Sequence, residues 1–84
     1  MTDEELDVLE AARQELGLSF PELWFRYFTV GGMSSAMEVE AILYGALVAS
    51  PSERDTIAVA LNEGFAELGR DHPVPYTGDE PPPS

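Results

Sequence analysis

Four times this chain writes a hydroxyl residue, two intervening residues and a glutamate: Thr2 to Glu5, Ser19 to Glu22, Ser35 to Glu38 and Ser50 to Glu53. In such a capping box the hydroxyl accepts a hydrogen bond from the amide three residues on, while the glutamate reaches back to the amide of the cap itself. Four helix starts at near-regular intervals in 84 residues leave room for short helices and little else. A chain of this length buries a modest fraction of its surface, so its stability margin is thin. Each cap is worth about 1 kcal/mol, which is appreciable against a typical net stability of roughly 5–15 kcal/mol. With no cysteine in the sequence, disulfides, thiolate metal sites and cysteine nucleophiles are excluded, and helix packing must supply the rest.

The first helix is expected over residues 3–16. Leu6, Leu9, Ala12 and Leu16 share one stripe, Asp3, Glu4 and Glu5 sit in the first turn at the positive end of the helix dipole, and Gly17 stands where a left-handed terminator is common. The second helix opens at Ser19 with Pro21 in its first turn and ends before Gly31 and Gly32. The third is expected over residues 36–48. The fourth has Ser50 as cap and Pro51 at the first helical position, carries Ile57, Leu61, Phe65 and Leu68 on one side, and stops at Gly69. The expected fold is therefore all-α: a compact four-helix domain over residues 1–69, its helices joined by short capped turns.

Composition changes at Arg70. Residues 70–84 hold five of the seven prolines and no sustained apolar period, and they end on Asp79-Glu80-Pro81-Pro82-Pro83-Ser84. This segment reads as an acidic, proline-rich disordered tail. Val74, Pro75 and Tyr76 are the part of it equipped to fold back on the bundle. The spacing of a proline-rich ligand is not repeated beyond the terminal triplet.

Sixteen acidic residues face four basic ones, giving a formal net charge of −12, and all four basic residues are arginine. A nucleic-acid binder draws most of its affinity from Lys and Arg placed on phosphates, so this balance argues against nucleic acid as a partner. No basic segment leads into an apolar one at the N-terminus, and no apolar run approaches the roughly 20 residues that span a bilayer. The expectation is a soluble protein of the cytoplasm with no membrane association.

Two helices have more apolar surface than a small bundle readily covers. On a helical wheel Val39, Ile42, Leu43, Ala46 and Leu47 form one side of the third helix, while Met37, Ala41, Tyr44 and Val48 form a second stripe nearly opposite. Either this helix is central and packed on every side, or Met37, Tyr44 and Met33 meet another chain, since methionine and aromatics are enriched where protein surfaces join. Five of the eight aromatic residues lie between Phe20 and Phe28. Phe20, Trp24, Tyr27 and Phe28 cover one face of the second helix, as the core of a small domain would; Phe25 falls at its edge and is the best single contact anchor. The interaction residues expected from sequence are thus Phe25, Met37 and Tyr44, and the partner is another protein or a second copy in a homodimer.

Reactive groups are sparse. His72 stands alone before a proline, with no second ligand for a metal and no group to orient it as a base. The carboxylates are spread along helix surfaces without the spacing of a calcium loop. Gly31 and Gly32 are followed by Met33 and a cap, not by a lysine, so a phosphate cradle has little support. No catalytic residue, metal ligand or cofactor follows from the sequence, and the expectation is a non-enzymatic regulatory or adaptor protein.

Three resemblances bear on this expectation. Leu16-Gly17-Leu18-Ser19-Phe20-Pro21-Glu22-Leu23, with Ser34-Ser35-Ala36-Met37-Glu38 opening the next helix, resembles lambda-repressor-type helix-turn-helix domains. That resemblance implies a DNA-binding regulator with a helix laid in the major groove, although the helix in question carries Glu38 and Glu40 and no Arg, Lys, Asn or Gln, and the turn from Phe28 to Ser35 is longer than the motif wants. Gly31-Gly32-Met33-Ser34-Ser35-Ala36-Met37 is similar to the glycine and serine segment of acyl and peptidyl carrier proteins, which implies phosphopantetheine on Ser34. Met33 replaces that family's Asp or His, and Ser35 its following apolar residue. Finally, Glu22-Leu23-Trp24-Phe25-Arg26-Tyr27-Phe28, Gly31-Gly32, Glu38-Val39-Glu40-Ala41 and Ala60-Leu61-Asn62-Glu63 resemble a group of small acidic actinobacterial proteins, a resemblance that brings no catalytic residues with it.

Overall fold

The computed structural model describes residues 7–71 and 73–77. Within them the helices are α1 (Val8–Leu16), α2 (Phe20–Thr29), α3 (Ala36–Leu43) and α4 (Pro51–Glu67), with no strand among the described residues. Ser19 and Ser35 form complete capping boxes: each hydroxyl accepts from an amide at 3.1 Å, and Glu22 and Glu38 each accept from the cap's own amide at 2.8 Å. The Ser50 box is only half made. Its hydroxyl accepts from the Glu53 amide at 3.1 Å, but the Glu53 carboxylate turns inward to Tyr27 and Ser34. The first helix starts later than its sequence suggests, at Val8 and not at residue 3. Asp7 is extended and caps it, accepting from the Leu9 amide at 2.9 Å; Thr2 to Glu5, and Leu6 with them, lie outside the described residues.

All four helices end on a glycine with positive φ: Gly17, Gly31, Gly45 and Gly69. The third of these shortens a helix expected to reach residue 48. At φ 82° Gly45 occupies a conformation that costs any residue with a Cβ. Its amide donates to Ile42 at 3.1 Å and that of Ala46 to Ala41 at 2.8 Å, the paired bonds of a Schellman terminator. Helix α3 therefore stops at Leu43. Ala46 and Leu47, expected in the core, stand exposed on the connection to α4.

Helix α4 is the axis of the domain. Ile57, Ala58, Ala60, Leu61, Asn62, Gly64 and Phe65 are buried along it, α1 and α2 both pack on it, and α3 packs on α2. This corrects the alternative in which the third helix is the central one. Arg54 at the start of α4 pairs with Asp7, and Arg70 just past its end pairs with Glu15, so α1 and α4 run in the same direction. Leu23 and Tyr27 of α2 and Val39, Ile42 and Leu43 of α3 complete the core from the other side.

Within the segment expected as a tail, Val74 and the half-buried Tyr76 pack on the bundle, while Pro73, Pro75 and Thr77 are exposed. Val74 is buried against the core. The buried side chain of Asn62 holds it by donating to the Val74 carbonyl at 2.9 Å and accepting from the Val74 amide at 3.0 Å, with a further donation to the Tyr76 hydroxyl at 3.1 Å. Asp55 accepts from the amide and hydroxyl of Thr77 at 2.8 and 2.9 Å. A buried amide side chain matched on both its donor and its acceptor fixes the strap in register. The remainder of the expected tail, 78–84, lies outside the described residues, as does His72. No helix among the described residues is long and apolar enough to cross a membrane.

Candidate interaction site

The connection between α2 and α3 hangs on one phenol. Tyr27 is fully buried. Its hydroxyl accepts from the amides of Met33 and Ser34 at 3.0 and 2.8 Å and donates to the Glu53 carboxylate. Its ring lies over Gly32 so closely that a Cβ there would stand 2.2 Å from Cζ. Ser34 is held twice more: its hydroxyl donates to the same Glu53 oxygen at 2.5 Å, and its carbonyl accepts from Trp24 Nε1 at 2.9 Å. Glu53 thus leaves its capping box to close a polar network spanning α2, the connection and α4. Two hydroxyls tied to one carboxylate oxygen hold the loop, and the Ser34 hydroxyl is engaged in that network.

This network fixes α3 with one stripe outward. Met37 is 79% and Tyr44 64% exposed, and Ala41 lies between them at helical spacing. The stripe continues onto α2. The Tyr44 ring meets Phe20 edge to face at 5.2 Å, and along α2 Trp24 stacks on Phe28 at 5.3 Å. Phe28, expected in the core, is more than half exposed, and Met33 and Val48 are almost fully so. The result is a methionine and aromatic face running from Phe28 through Trp24, Phe20 and Tyr44 to Met37.

Beneath Phe20 sits a second ion-pair network. Glu10, buried, accepts from Arg13 Nε at 2.8 Å and Nη2 at 2.6 Å and from Gln14 at 2.9 Å. Arg13 donates onward to the Leu18 carbonyl at 2.6 Å and lays its guanidinium 4.0 Å from the Phe20 ring centre. The bond from Arg13 holds the Glu10 carboxyl below the ordinary carboxylate range, against the opposing effect of burial. Asp7 is lowered too: burial opposes the shift, and the bonds from Arg54 and the Leu9 amide outweigh it.

The three residues picked out in the sequence do not come together. Met37 and Tyr44 share the outward stripe of α3, while Phe25, 63% exposed, lies about 100° around α2 from Trp24. Phe25 helps to line a groove of about 610 Å³ between α2 and α4, together with Leu18, Pro21, Arg26 and the carboxylates of Glu22, Glu63 and Glu67. Trp24 and Phe20 are the site residues that the sequence assigned to the core. Their signal was present in the excess of aromatics, but which of them a neighbour covers depends on the crossing of α2 over α4.

All four arginines are engaged by carboxylates: Arg13 by Glu10, Arg26 by Glu67, Arg54 by Asp7 and Arg70 by Glu15. No group of three metal-ligating side chains occurs among the described residues. No protein-family model matches the chain, and comparison with curated proteins and with solved structures found no match.

Proposed function

We propose that this chain is a small acidic, non-enzymatic regulatory or adaptor protein of the cytoplasm that acts by binding another protein through the Met37 and Tyr44 stripe and its continuation over Phe20, Trp24 and Phe28. The observation that carries this reading is a methionine and aromatic face left uncovered on a helix that is otherwise rigidly held. Exposed apolar patches of this composition mark association surfaces, and preordering by the Tyr27 and Glu53 network lowers the entropic cost of binding. The acidic surface contributes specificity and encounter rate. A helix-turn-helix role has less support. The outward side of α3 carries Glu38 and Glu40, and a phosphate contact would have to take an arginine from an existing ion pair.

The test is recovery of the tagged chain from its own cells, with mass spectrometry of what accompanies it. The wild type is expected to bring a distinct protein that Met37→Glu and Tyr44→Glu lose while far-UV circular dichroism stays unchanged. Recovery of the same protein by both variants would overturn the reading. Sedimentation in parallel identifies a second copy as the partner if the wild type is a dimer that Tyr44→Glu dissociates.

A further inference from the structure

We infer that the groove between α2 and α4 is a second docking surface, distinct from the Tyr44 face, and that it takes an arginine-bearing apolar segment of a partner protein. The inference rests on the reading of the chain as a protein-binding module and names the chemistry of one partner. A volume of about 610 Å³ falls within the roughly 300–1,000 Å³ of clefts that enclose a ligand. Its apolar lining is Leu18 and Pro21 at the start of α2 together with the exposed Phe25 ring. Its rim is anionic. Glu22, Glu63 and Glu67 surround Arg26, whose guanidinium is bound in both directions to Glu67 at 3.0 and 2.7 Å. Glu22 is engaged by the Ser19 amide in its capping box, so the lining carries three carboxylates against the single guanidinium of Arg26 and keeps a net negative charge. Glu63 has no ion pair or side-chain hydrogen bond among the described residues.

Apolar lining with an aromatic ring, beside three carboxylates that outnumber one arginine, matches a side chain with an aliphatic stem and a cationic head. Arginine fits best, because its planar guanidinium stacks on a ring while forking to a carboxylate. Charge excludes the other occupants. A second copy brings a net charge of −12 to an acidic rim, and the chain's own C-terminal residues bring Asp79 and Glu80. The groove shares no lining residue with the face made by Phe20, Trp24 and Tyr44, so both surfaces can be filled at once, which is what an adaptor requires.

The probe is a short amphipathic helical peptide of leucine and arginine, titrated into the full chain and followed by amide chemical shifts. A matched peptide with citrulline in place of arginine serves as the neutral control. Shifts are expected along residues 18–29 and 63–67, with affinity falling about tenfold in Phe25→Ala and severalfold in Glu63→Gln. Tyr44→Glu should leave the titration unchanged. Phe25 and Glu63 are exposed, and a retained amide spectrum confirms that their variants fold. Equal binding of the citrulline peptide, indifference to Phe25→Ala, or shifts centred on Met37 and Tyr44 would each overturn the assignment. The last outcome would do so while leaving the Tyr44 face standing, so failure of the groove and failure of the adaptor reading are distinguishable.

Discussion

On the side of α2 that meets α4, polar atoms are buried only where a partner waits for them: the Tyr27 hydroxyl has three, and the Glu53 carboxylate gathers two hydroxyls. On the side that meets α3, Phe20, Trp24 and Phe28 are covered only in part, and the rings finish their packing on one another and on Tyr44. The first side is specified by hydrogen bonds that tolerate no substitution of shape or chemistry. The second is an apolar surface tied to the connection by one hydrogen bond, from Trp24 Nε1 to the Ser34 carbonyl, and Phe20 or Phe28 could be lost from it without unmatching a polar group. Two sides of one ten-residue helix therefore differ in kind, one fixing the fold and the other left partly uncovered, as the proposed association requires.

Substitutions can break this contrast, and the largest effect belongs to Gly32→Ala. A Cβ placed 2.2 Å from the Tyr27 ring must displace a fully buried side chain, and a loss on the order of 3 kcal/mol in urea unfolding is expected. Tyr27→Phe keeps the ring and strips its hydroxyl, leaving the Met33 and Ser34 amides without their acceptor; about 2 kcal/mol should be lost. Asn62→Ala should cost a similar or slightly smaller amount, about 1–2 kcal/mol, because Val74 loses both bonds to α4. Hydrogen exchange gives that variant a signature of its own: the Val74 amide exchanges early while α2 stays protected.

Acid probes a separate set of contacts, those of α1, more gently. Glu10 and Asp7 are both held below their ordinary values in the fold. Their contribution is complete above the unfolded carboxylate range and is lost as pH falls below about 4, through the folded values. Stability measured against pH should drop there, and Glu10→Gln should flatten the drop while lowering stability at neutral pH. The smallest effect is expected from Met37→Glu, which adds a carboxylate to the exposed first turn of α3, where the helix dipole favours one. Stability should change by less than about 0.5 kcal/mol even as association is lost. A large destabilisation would erase the contrast between the two sides.

Much of the framework was legible in the chain. Ser19, Ser35 and Ser50 cap as their spacing says, because a cap depends on residues three apart. The start of α1 was misplaced because Asp7 with Glu10 presents the same spacing as Thr2 with Glu5, and Asp7 has Arg54 to hold it. Gly45 was passed over because apolar residues continue at helical period beyond it, and only the uncovered position of Leu47 and Val48 shows that the period there means nothing. Glu53 looked like half of a box; its recruitment by Tyr27 is a long-range consequence of helix crossing that local spacing does not encode. The strap was half legible. Val74 and Tyr76 were visible as apolar residues, but their anchor, Asn62, is an amide inside an apolar stripe. The site divided in the same way: exposure of Phe25, Met37 and Tyr44 followed from wheel positions, while their separation onto two faces required the packing.

Every helix is closed at both ends, by a side-chain cap in front and a left-handed glycine behind. One consequence concerns how such a chain can change length. A residue inserted between a cap and its glycine rotates everything beyond it by about 100° and turns a buried stripe toward water. The closures would have to shift together to absorb it, and each is pinned by its own hydrogen bonds. Between the helices, insertions and deletions are therefore confined to the connections; Gly17 and Leu18 are taken up by the α1 closure and the bond from Arg13, which leaves 30–35 and 44–50. The first is stapled by Tyr27 and Glu53, so the stretch after Gly45 is where this fold can be spliced, tagged or lengthened.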